Sequence, residues 1–282
     1  MLSSANSYKE NHLISIVIPA FRQAEYMDEC LESVLEQTYQ NWECIIVNDG
    51  SPDHTEKVAK KWMEKDCRFR YLYKENGGLS SARNAGIELA KGEWVLPLDC
   101  DDKIGKEYLK LAEEKFRENY TIIYCKAEFF DQVTQPWNLA PYDYQQLLVE
   151  NLIFCSAFFK KEDWKTAQGY DANLIYGKED WDFWLSILND EKEVFCLDYL
   201  GFFYRRKEES MDVEINQNKI KKDFSLNYIY KKHLKKYLPE NQNAIEYFQH
   251  QKNINKNLKF YNTVVSKNIV AKTLFKIIIK IS

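Results

Sequence analysis

The sequence predicts an α/β protein in which helices flank a mixed central sheet, followed by a helical C-terminal appendage. Short apolar β-type runs alternate with segments of helical periodicity over about the first hundred residues, a pattern typical of stacked βαβ units. From Lys103 to about Met211 this alternation breaks down, which indicates a mixed sheet rather than a second repeat. Beyond Asp212 the chain is rich in Lys and Asn and lacks Gly, which favours helix.

Four strands are predicted in the first part of the chain. Each is an apolar run followed by Pro, Gly or acidic residues, which are strand-ending signals. The first strand is expected to stop at Pro19. The four runs are Ile14–Ile18, Glu43–Val47, Arg68–Tyr73 and Trp94–Leu98.

Helices are predicted between these strands. Apolar side chains from Met27 to Leu35 recur at the spacing of one helical face. Asp53 is a predicted N-cap for a helix through Trp62, and Ser80 for a helix running to about Lys91. Later elements are read more coarsely. They are helices near Lys106–Glu118 and Asp180–Asn189, and strands near Thr121–Phe130 and Glu193–Leu197.

Composition and charge restrict the function classes. The chain has 282 residues, of which 45% are hydrophobic, so a large core is expected. A net charge of about +11 from Ile215 to Ser282 offsets about −15 in the rest of the chain. A nucleic-acid binder is not expected, because the body is acidic and the basic tail lacks a recognition motif. Seven unpaired-looking cysteines and no signal-peptide or membrane-spanning run predict a cytoplasmic protein with reduced thiols.

Asp99-Cys100-Asp101-Asp102 is the sharpest chemical signal. Three carboxylates in four positions directly after a strand repel one another unless a cation lies between them. Hard divalent ions such as Mg²⁺ and Mn²⁺ are held by one or two carboxylates together with phosphate oxygens. A solvated acidic turn is the alternative. Because ligands of open α/β sheets bind at the carboxyl ends of the strands, the motif predicts a metal-bound diphosphate.

Two further segments belong to the same predicted edge. Asp49 follows the second strand, where an acid can accept hydrogen bonds from a ribose or a base; an Asx-turn residue is the alternative. Asn76 to Asn84 is a Gly turn entering a helix, with Arg83 one turn inside it. Taken alone, this segment fits a surface salt bridge equally well.

Five segments together carry a family resemblance. In order, they resemble the successive signatures of family 2 glycosyltransferases, most strongly over about residues 13 to 105. Ala20 and Asn48 depart from the family pattern, which often has a hydroxyl residue and a second Asp there. The segments are Ile16–Phe21, Glu32–Tyr39, Asn48–Ser51, Gly77–Gly86 and Leu98–Asp102.

The resemblance implies a GT-A type, Rossmann-like fold, a nucleotide-sugar donor, a divalent cation (Mn²⁺ or Mg²⁺) and an inverting mechanism. It divides the chain into a glycosyltransferase domain, residues 1–211, and a basic helical region, residues 212–282. Within the domain, residues 1–102 form the nucleotide-binding half and 103–211 the acceptor half. Asp101 is the implied metal ligand, and Asp99 contacts the metal or the ribose. The other implied nucleotide-site residues are Pro19, Ala20, Asp49, Arg83 and Cys100.

Glu179-Asp180 resembles the acidic pair that carries the catalytic base in this family. An inverting transfer needs a carboxylate to take the proton of the acceptor hydroxyl. Asp180 is the predicted base, and Glu179 and Asp182 are the alternatives. A helix N-cap is a compatible structural role for Asp180.

Two basic segments complete the prediction. Tyr204-Arg205-Arg206-Lys207 resembles a loop that brings basic side chains, here Arg205 and Arg206, to the donor diphosphate; a solvated charge run is the alternative. Residues 267–281 alternate apolar side chains with Lys and predict a basic amphipathic helix. That helix can lie on an anionic membrane surface, or pack on protein.

The function predicted from the sequence is transfer of a sugar, with a UDP-sugar as the first choice of donor, to a glycan or lipid-linked glycan acceptor. Capsule, O-antigen or another surface glycan is the expected product, made at or near the inner face of the cell membrane. The alternative is a non-catalytic nucleotide-sugar-binding scaffold or sensor, which would be expected to lack the acids at the metal and base positions.

Overall fold

The computed structural model describes residues 11–207 and 217–237, and these residues form the predicted α/β architecture. The predicted helix over 267–281, and most of the region from 212 onward, lies outside the described residues. The strands are β1 Ile14–Ala20, β2 Trp42–Asp49, β3 Phe69–Lys74, β4 Trp94–Pro97, β5 Lys103–Ile104, β6 Tyr120–Asp131, β7 Gln135–Trp137, β8 Phe158–Lys160 and β9 Glu193–Arg206.

Helices lie between most of these strands. The α-helices are α1 Ala24–Leu35, α2 Thr55–Lys65, α3 Leu79–Leu89, α4 Tyr108–Glu113, α5 Tyr144–Leu147, α6 Lys161–Thr166, α7 Glu179–Ile187 and α8 Lys219–Lys232. Within the described residues, no helix has the length and apolar character that crossing a membrane requires.

One mixed sheet organises the fold, in the order β3-β2-β1-β4-β8-β6-β9-β5, with β7 paired to β6. Strands β1 to β4 are parallel, whereas β8 runs antiparallel to both β4 and β6. The chain builds outward from β1 to β3 and then returns to place β4 on the other side of β1. The crevice at the carboxyl ends of β1, β2 and β4 is therefore the topological switch point, where ligands of such sheets bind.

The parallel strands are buried because helices cover both faces of the sheet. Every residue of β1, β2 and β4 is buried, which explains why their sequences read as continuous apolar runs. Strand β1 continues through Pro19 to Ala20, two residues further than predicted. Since β4 pairs with β1 only as far as Val17, the missing N–H of Pro19 interrupts no ladder bond on that side.

Two predicted helix caps are wrong in detail. Helix α2 starts at Thr55, and its N-cap is His54 rather than Asp53. The Asp53 carboxylate, one residue before the cap, accepts hydrogen bonds from the Thr55 N–H (3.1 Å) and the Thr55 hydroxyl (2.6 Å). Helix α3 starts at Leu79, with Gly78 in the left-handed region (φ 85°) as its N-cap, so Ser80 lies inside the first turn. The observed helix therefore begins two residues before the predicted first helical residue, Ser81, and ends at Leu89, two residues before Lys91.

The second part of the chain differs more from the structure predicted from the sequence. Strand β9 joins the predicted strand Glu193–Leu197 to the apolar run that follows it, in 14 continuous residues. It pairs in parallel with β6 across register shifts that let both strands bend. Contacts group the described residues up to Lys232, including α8, into one compact unit, whereas the boundary predicted from the sequence lies near 211.

Candidate active site

A cavity of about 510 Å³ opens at the carboxyl ends of β1 and β2. Its floor is the end of β1, and its sides are the turn before α3, the acidic segment after β4 and the segment entering α7. Several predicted nucleotide-site residues line it: Pro19, Ala20, Asp49, Asp99 and Asp101. The structure therefore brings together residues that lie up to about 80 positions apart in the sequence.

Asp49 shapes the turn that forms one side of this first cavity. Its carboxylate accepts hydrogen bonds from Lys74 Nζ (2.6 Å) and from the backbone N–H groups of Gly77 (3.0 Å) and Gly78 (2.8 Å). The Asx-turn role belongs instead to Asn48, whose side-chain oxygen accepts from the Ser51 N–H at 2.8 Å. The family departure at Asn48 is thus compatible with the turn, and Asp49 holds the Gly turn against β2.

Arg83 lies at the centre of the site. Its guanidinium is completely buried and donates from Nη2 to Asp99 Oδ1 (2.6 Å) and from Nη1 to Glu179 Oε1 (2.5 Å). Burial alone would lower the pKa of Arg83, but the carboxylates of Asp99 and Glu179 raise it well above its usual value. The alternative of a surface salt bridge is wrong, because this ion pair joins α3, the end of β4 and α7 inside the protein.

The acidic segment after β4 divides between two environments. Asp101 lines the first cavity and pairs with Lys207 Nζ at 2.5 Å, while burial raises its pKa, opposed by Lys207 and reinforced by Asp99. Asp102 is buried beneath the cavity and accepts from the Arg205 N–H at 2.8 Å. Cys100 is also buried and lines neither the first cavity nor its neighbour, so the structure does not bring it to the predicted nucleotide site.

The same segment fits a cation that arrives with a phosphate ligand. Among the described residues, no group of three or more His, Cys, Asp or Glu side chains converges as a metal centre. Asp99 and Asp101 instead present carboxylate oxygens to the first cavity. Mg²⁺ and Mn²⁺ accept such hard oxygen donors, one or two from protein and the rest from substrate phosphates and water.

A second cavity, of about 430 Å³, adjoins the first. The two share Leu79, Asp99, Gly177, Glu179 and Tyr204 as lining residues, so the Arg83 ion-pair network forms the partition between them. Aromatic side chains form much of the remaining wall. They are Phe129, Trp137, Phe154, Phe202 and Tyr204.

Asp180 lines this second cavity in the first turn of α7, and not at its N-cap, which is Lys178 in the left-handed region (φ 67°). Its carboxylate accepts from Asn151 Nδ2 (2.9 Å) and from the Trp181 N–H (2.7 Å). Burial and the Glu179 carboxylate raise its pKa to about 6, with Arg83 opposing them. A carboxyl with that pKa can accept a proton at neutral pH and release it again.

The sequence signatures extend over most of this geometry. The family model described as glycosyl transferase family 2 matches residues 15–180, from β1 to the Asp180 that lines the second cavity. The chain belongs to glycosyltransferase family 2. The resemblance stated from five short segments is therefore confirmed.

Relatives show how far this family assignment reaches. The uncharacterized glycosyltransferase EpsJ of Bacillus subtilis is 38% identical over 114 residues, which cover 40% of this chain and 33% of EpsJ. Chondroitin synthase of Pasteurella multocida is 39% identical over 110 residues, covering 39% of this chain and 11% of the synthase. The first curated relatives it matches are thus covered over about a third of their length.

A solved structure confirms the GT-A fold. TarS of Staphylococcus aureus, residues 1–349 in complex with UDP-GlcNAc, superposes with a TM-score of 0.61 at 22% identity. The match covers 71% of this chain and 60% of that one. At this identity the similarity concerns the fold, which for this glycosyltransferase is the predicted mixed sheet flanked by helices.

The basic segment of this glycosyltransferase does not act as one unit. The Arg205 side chain donates to Asp131 Oδ2 (2.8 Å), to the Asp101 backbone oxygen (2.8 Å) and to Glu29, and it lines neither cavity. Arg206 lines the second cavity, with its guanidinium 5.2 Å from the centre of the Phe129 ring. Arg205 therefore ties the strand end to the acidic segment and does not reach the predicted diphosphate position.

Sequence reasoning missed three contributors to the site. From the basic segment at the end of β9, Lys207, and not Arg205, lines the first cavity, where it pairs with Asp101. Asn151 holds Asp180, and Cys155 Sγ lies 3.5 Å from Asp99 Oδ2. The sequence did carry a signal for Lys207, since it is the third basic residue in succession at the end of β9. Asn151 and Cys155 lie in an irregular segment with no motif.

Proposed function

We propose that the chain transfers a sugar from a nucleotide diphosphate sugar to an acceptor hydroxyl, with inversion at the sugar carbon. The observation that carries this proposal is the pair of adjoining cavities. The first presents Asp99, Asp101 and Lys207, which suit a diphosphate with its cation. The second presents Asp180, whose pKa is raised to about 6.

The donor would bind in the first cavity. Pro19, Ala20 and Asp49 would contact the nucleotide, and Asp99 the ribose or the cation. Asp101 would hold Mn²⁺ or Mg²⁺, which when bound offsets negative charge on the departing diphosphate. Lys207 would bind a phosphate oxygen from the cavity rim. The UDP-GlcNAc named with the TarS structure supports a UDP-sugar as the first donor to test.

Asp180 would act as the base. The acceptor hydroxyl oxygen attacks the sugar carbon opposite the leaving group, its proton passes to the Asp180 carboxylate, and the sugar–phosphate bond breaks with its electron pair going to the diphosphate. Glu179 is the weaker candidate, because its carboxylate is already bound to buried Arg83. We assign Glu179 to positioning Arg83 rather than to proton transfer.

The acceptor is proposed to be a glycan, free or lipid-linked, in the synthesis of a surface polysaccharide such as capsule or O-antigen. The local similarity to chondroitin synthase supports a glycan acceptor, as do the aromatic walls of the second cavity. We further propose that the transfer takes place in the cytoplasm near the inner face of the cell membrane. Residues 267–281 would bind anionic lipid there. Lys-to-Glu changes at Lys272, Lys276 and Lys280 should then weaken sedimentation with anionic liposomes.

The decisive experiment is release of nucleoside diphosphate from a panel of UDP-, GDP- and dTDP-sugars with Mn²⁺ or Mg²⁺. Slow hydrolysis of the donor can stand in for transfer while the acceptor is unidentified. We expect release from one donor class, dependent on metal and lost in Asp101→Asn. Asp198→Asn is the matched control, because Asp198 is an exposed acid that pairs with Lys126 away from both cavities.

Two outcomes would contradict the proposal. Donor binding by calorimetry without release, under all metal conditions, would favour the non-catalytic scaffold. Neither binding nor release across the panel would remove the nucleotide-sugar assignment altogether. Equal loss of activity in Asp198→Asn would show that the effect of Asp101→Asn is not specific to the site.

A further inference from the structure

A third cavity, of about 620 Å³, lies beside β6 and β7 and takes no part in the transfer chemistry proposed above. Its walls come from β6, from the segment 136–142 and from β9. Its volume is within the range of small-molecule binding sites. None of the predicted site residues lines it.

The third cavity adjoins the second, since Trp137 and Leu139 line both. The Trp137 ring is stacked on Phe129, with centroids 5.0 Å apart, and lies 5.2 Å from Tyr204, and both of these rings line the second cavity. A ligand that extended from Asp180 past the Trp137 side chain would therefore reach the third cavity.

The lining combines aromatic rings with hydrogen-bonding groups. Tyr124, Trp137 and Tyr142 supply the rings, and Asn138 and Glu128 supply polar side chains. The Tyr142 hydroxyl is buried and has no hydrogen-bond partner among the described residues. Burial raises the pKa of Tyr142 to about 12, so this hydroxyl keeps its proton at neutral pH. Since buried polar groups are normally paired, it is suited to bond a bound molecule.

This chemistry matches a saccharide better than a lipid chain. A pyranose ring offers C–H groups to aromatic faces and hydroxyls to the polar groups at its edge. A polyprenyl chain would bury Asn138, Glu128 and the Tyr142 hydroxyl without a partner, which costs free energy. Because the third cavity adjoins the second, the saccharide unit bound there would be the one next to the sugar in the second cavity.

We propose that the third cavity is a subsite for the sugar unit adjacent to the reacting sugar of the acceptor. It gives the protein a preference for acceptors of two or more sugar units over monosaccharides. The proposal rests on the proposed function, because it takes the second cavity as the place of the reacting acceptor sugar.

The test is direct binding, which does not depend on turnover. Ligand-observed NMR measures binding of a panel of disaccharides containing glucose, galactose or N-acetylhexosamine, and of their constituent monosaccharides. Ala140→Trp places an indole in the third cavity, whereas Val133→Trp adds the same side chain at an exposed position outside it. Tyr142→Phe removes only the unpartnered hydroxyl. Circular dichroism and thermal melting confirm that each variant is folded.

We expect at least one disaccharide to bind the wild type more tightly than its monosaccharides. Ala140→Trp should weaken it about tenfold or more, since the loss of one sugar's contacts reaches about 1.4 kcal/mol. Tyr142→Phe should weaken it about two- to tenfold, as expected for one hydrogen bond. Val133→Trp should bind as the wild type does.

Three results would overturn the subsite. The first is that the wild type binds no disaccharide, and the second is that Ala140→Trp binds the disaccharide as tightly as the wild type does. The third is that Ala140→Trp weakens binding of a short polyprenyl phosphate and not of a sugar. Calorimetry with UDP, GDP and dTDP on the same preparation tests the proposed function by itself. Failure of nucleotide binding would contradict the donor assignment, while the disaccharide result would still decide the subsite.

Discussion

Two neighbouring acids of α7, Glu179 and Asp180, stand in different electrostatic environments. Glu179 is neutralised by the buried guanidinium of Arg83, at 2.5 Å. Among the described residues, the hydrogen-bond donors to the Asp180 carboxylate are neutral, the Asn151 amide and a backbone N–H, and burial raises its pKa to about 6. The difference teaches that neighbouring acids can be given different tasks by their partners: Glu179 is tied to a fixed cation, whereas neutral donors orient Asp180 and leave it able to titrate near neutral pH.

The donor side shows a related division. Asp99 pairs with Arg83, which is buried in the partition, while Asp101 pairs with Lys207 at the cavity. Withdrawing Arg83 would leave two carboxylates unpaired inside the protein. Lys207 can leave Asp101 for a phosphate oxygen if a metal ion takes its place beside that carboxylate. The fixed ion pair thus builds the partition, and the acids beside it, Asp101 and Asp180, remain available for chemistry.

The largest effect is expected from Asp180→Asn. Loss of the base should lower the single-turnover rate about 10²- to 10⁴-fold. The same change should raise the free energy of unfolding at pH 8. A folded-state pKa of about 6 lies above the usual value near 3.9, so ionising Asp180 costs the folded state about 1–3 kcal/mol above pH 6. Quenched-flow kinetics and urea unfolding measure the two effects.

Glu179→Gln, at the residue next to Asp180, provides the comparison for Asp180→Asn. It removes a charge paired with Arg83, so it should destabilise the protein instead of stabilising it. If Asp180→Asn kept its rate within a few-fold, or Glu179→Gln lost more of the rate while the fold was intact, the assignment of the base would have to be reversed.

Arg83→Met tests the fixed side of the comparison. The variant leaves Asp99 and Glu179 without their buried partner, so the free energy of unfolding should fall by about 3–5 kcal/mol, as when one member of a buried pair is removed. Lys60→Met is the control, because its pair with Glu56 is exposed to solvent and should contribute far less to the free energy of unfolding. Equal losses in the two variants would mean that the Arg83 network does not hold the partition together.

The first half of the fold, which contains the parallel strands and Arg83, was the more predictable half. Each parallel strand has a local signal, an apolar run followed by Pro19, Asp49 or Asp99, and the structure moves the strand ends by only one or two residues. Arg83 could be placed on its helix from sequence, but its partner Glu179 lies 96 positions away. Only the family resemblance brought the two segments together.

The second half was less predictable because its contacts are irregular and distant. Only the first part of strand β9, Glu193–Leu197, was predicted, since the sequence does not show that register shifts with β6 allow one long strand. Arg205 was expected at the diphosphate, but Glu29 and Asp131, its acidic partners, lie 176 and 74 positions away. Asn151 has no motif at all, although it holds the predicted base.

The pH dependence of the rate sharpens the contrast between the two acids. Asp180 must be ionised to accept a proton, so the rate should fall about tenfold per pH unit below about pH 6 and level off above it. The profile is measured from single-turnover rates between pH 4.5 and 8.5, with donor affinity determined at each pH as the control. A rate independent of pH from 5 to 8, at constant donor affinity, would contradict a base with this pKa.

Asn151→Leu is expected to have the smallest effect on the rate. It tests the hydrogen bond from the neutral Asn151 amide to Asp180. The leucine has a similar size but cannot donate to Asp180, so the ionised carboxylate loses a hydrogen bond of about 1.5–3 kcal/mol and the pKa rises by about one to two units. At pH 7 the rate should fall about two- to tenfold, and raising the pH to 8.5 should restore much of it. Asn173→Leu, which removes an amide donor from Asp171 (2.9 Å), should leave the profile unchanged. Recovery at high pH separates a shifted base from a damaged site, since Asn151 also accepts the Ile153 N–H (3.3 Å) and losing that contact would lower the rate at every pH.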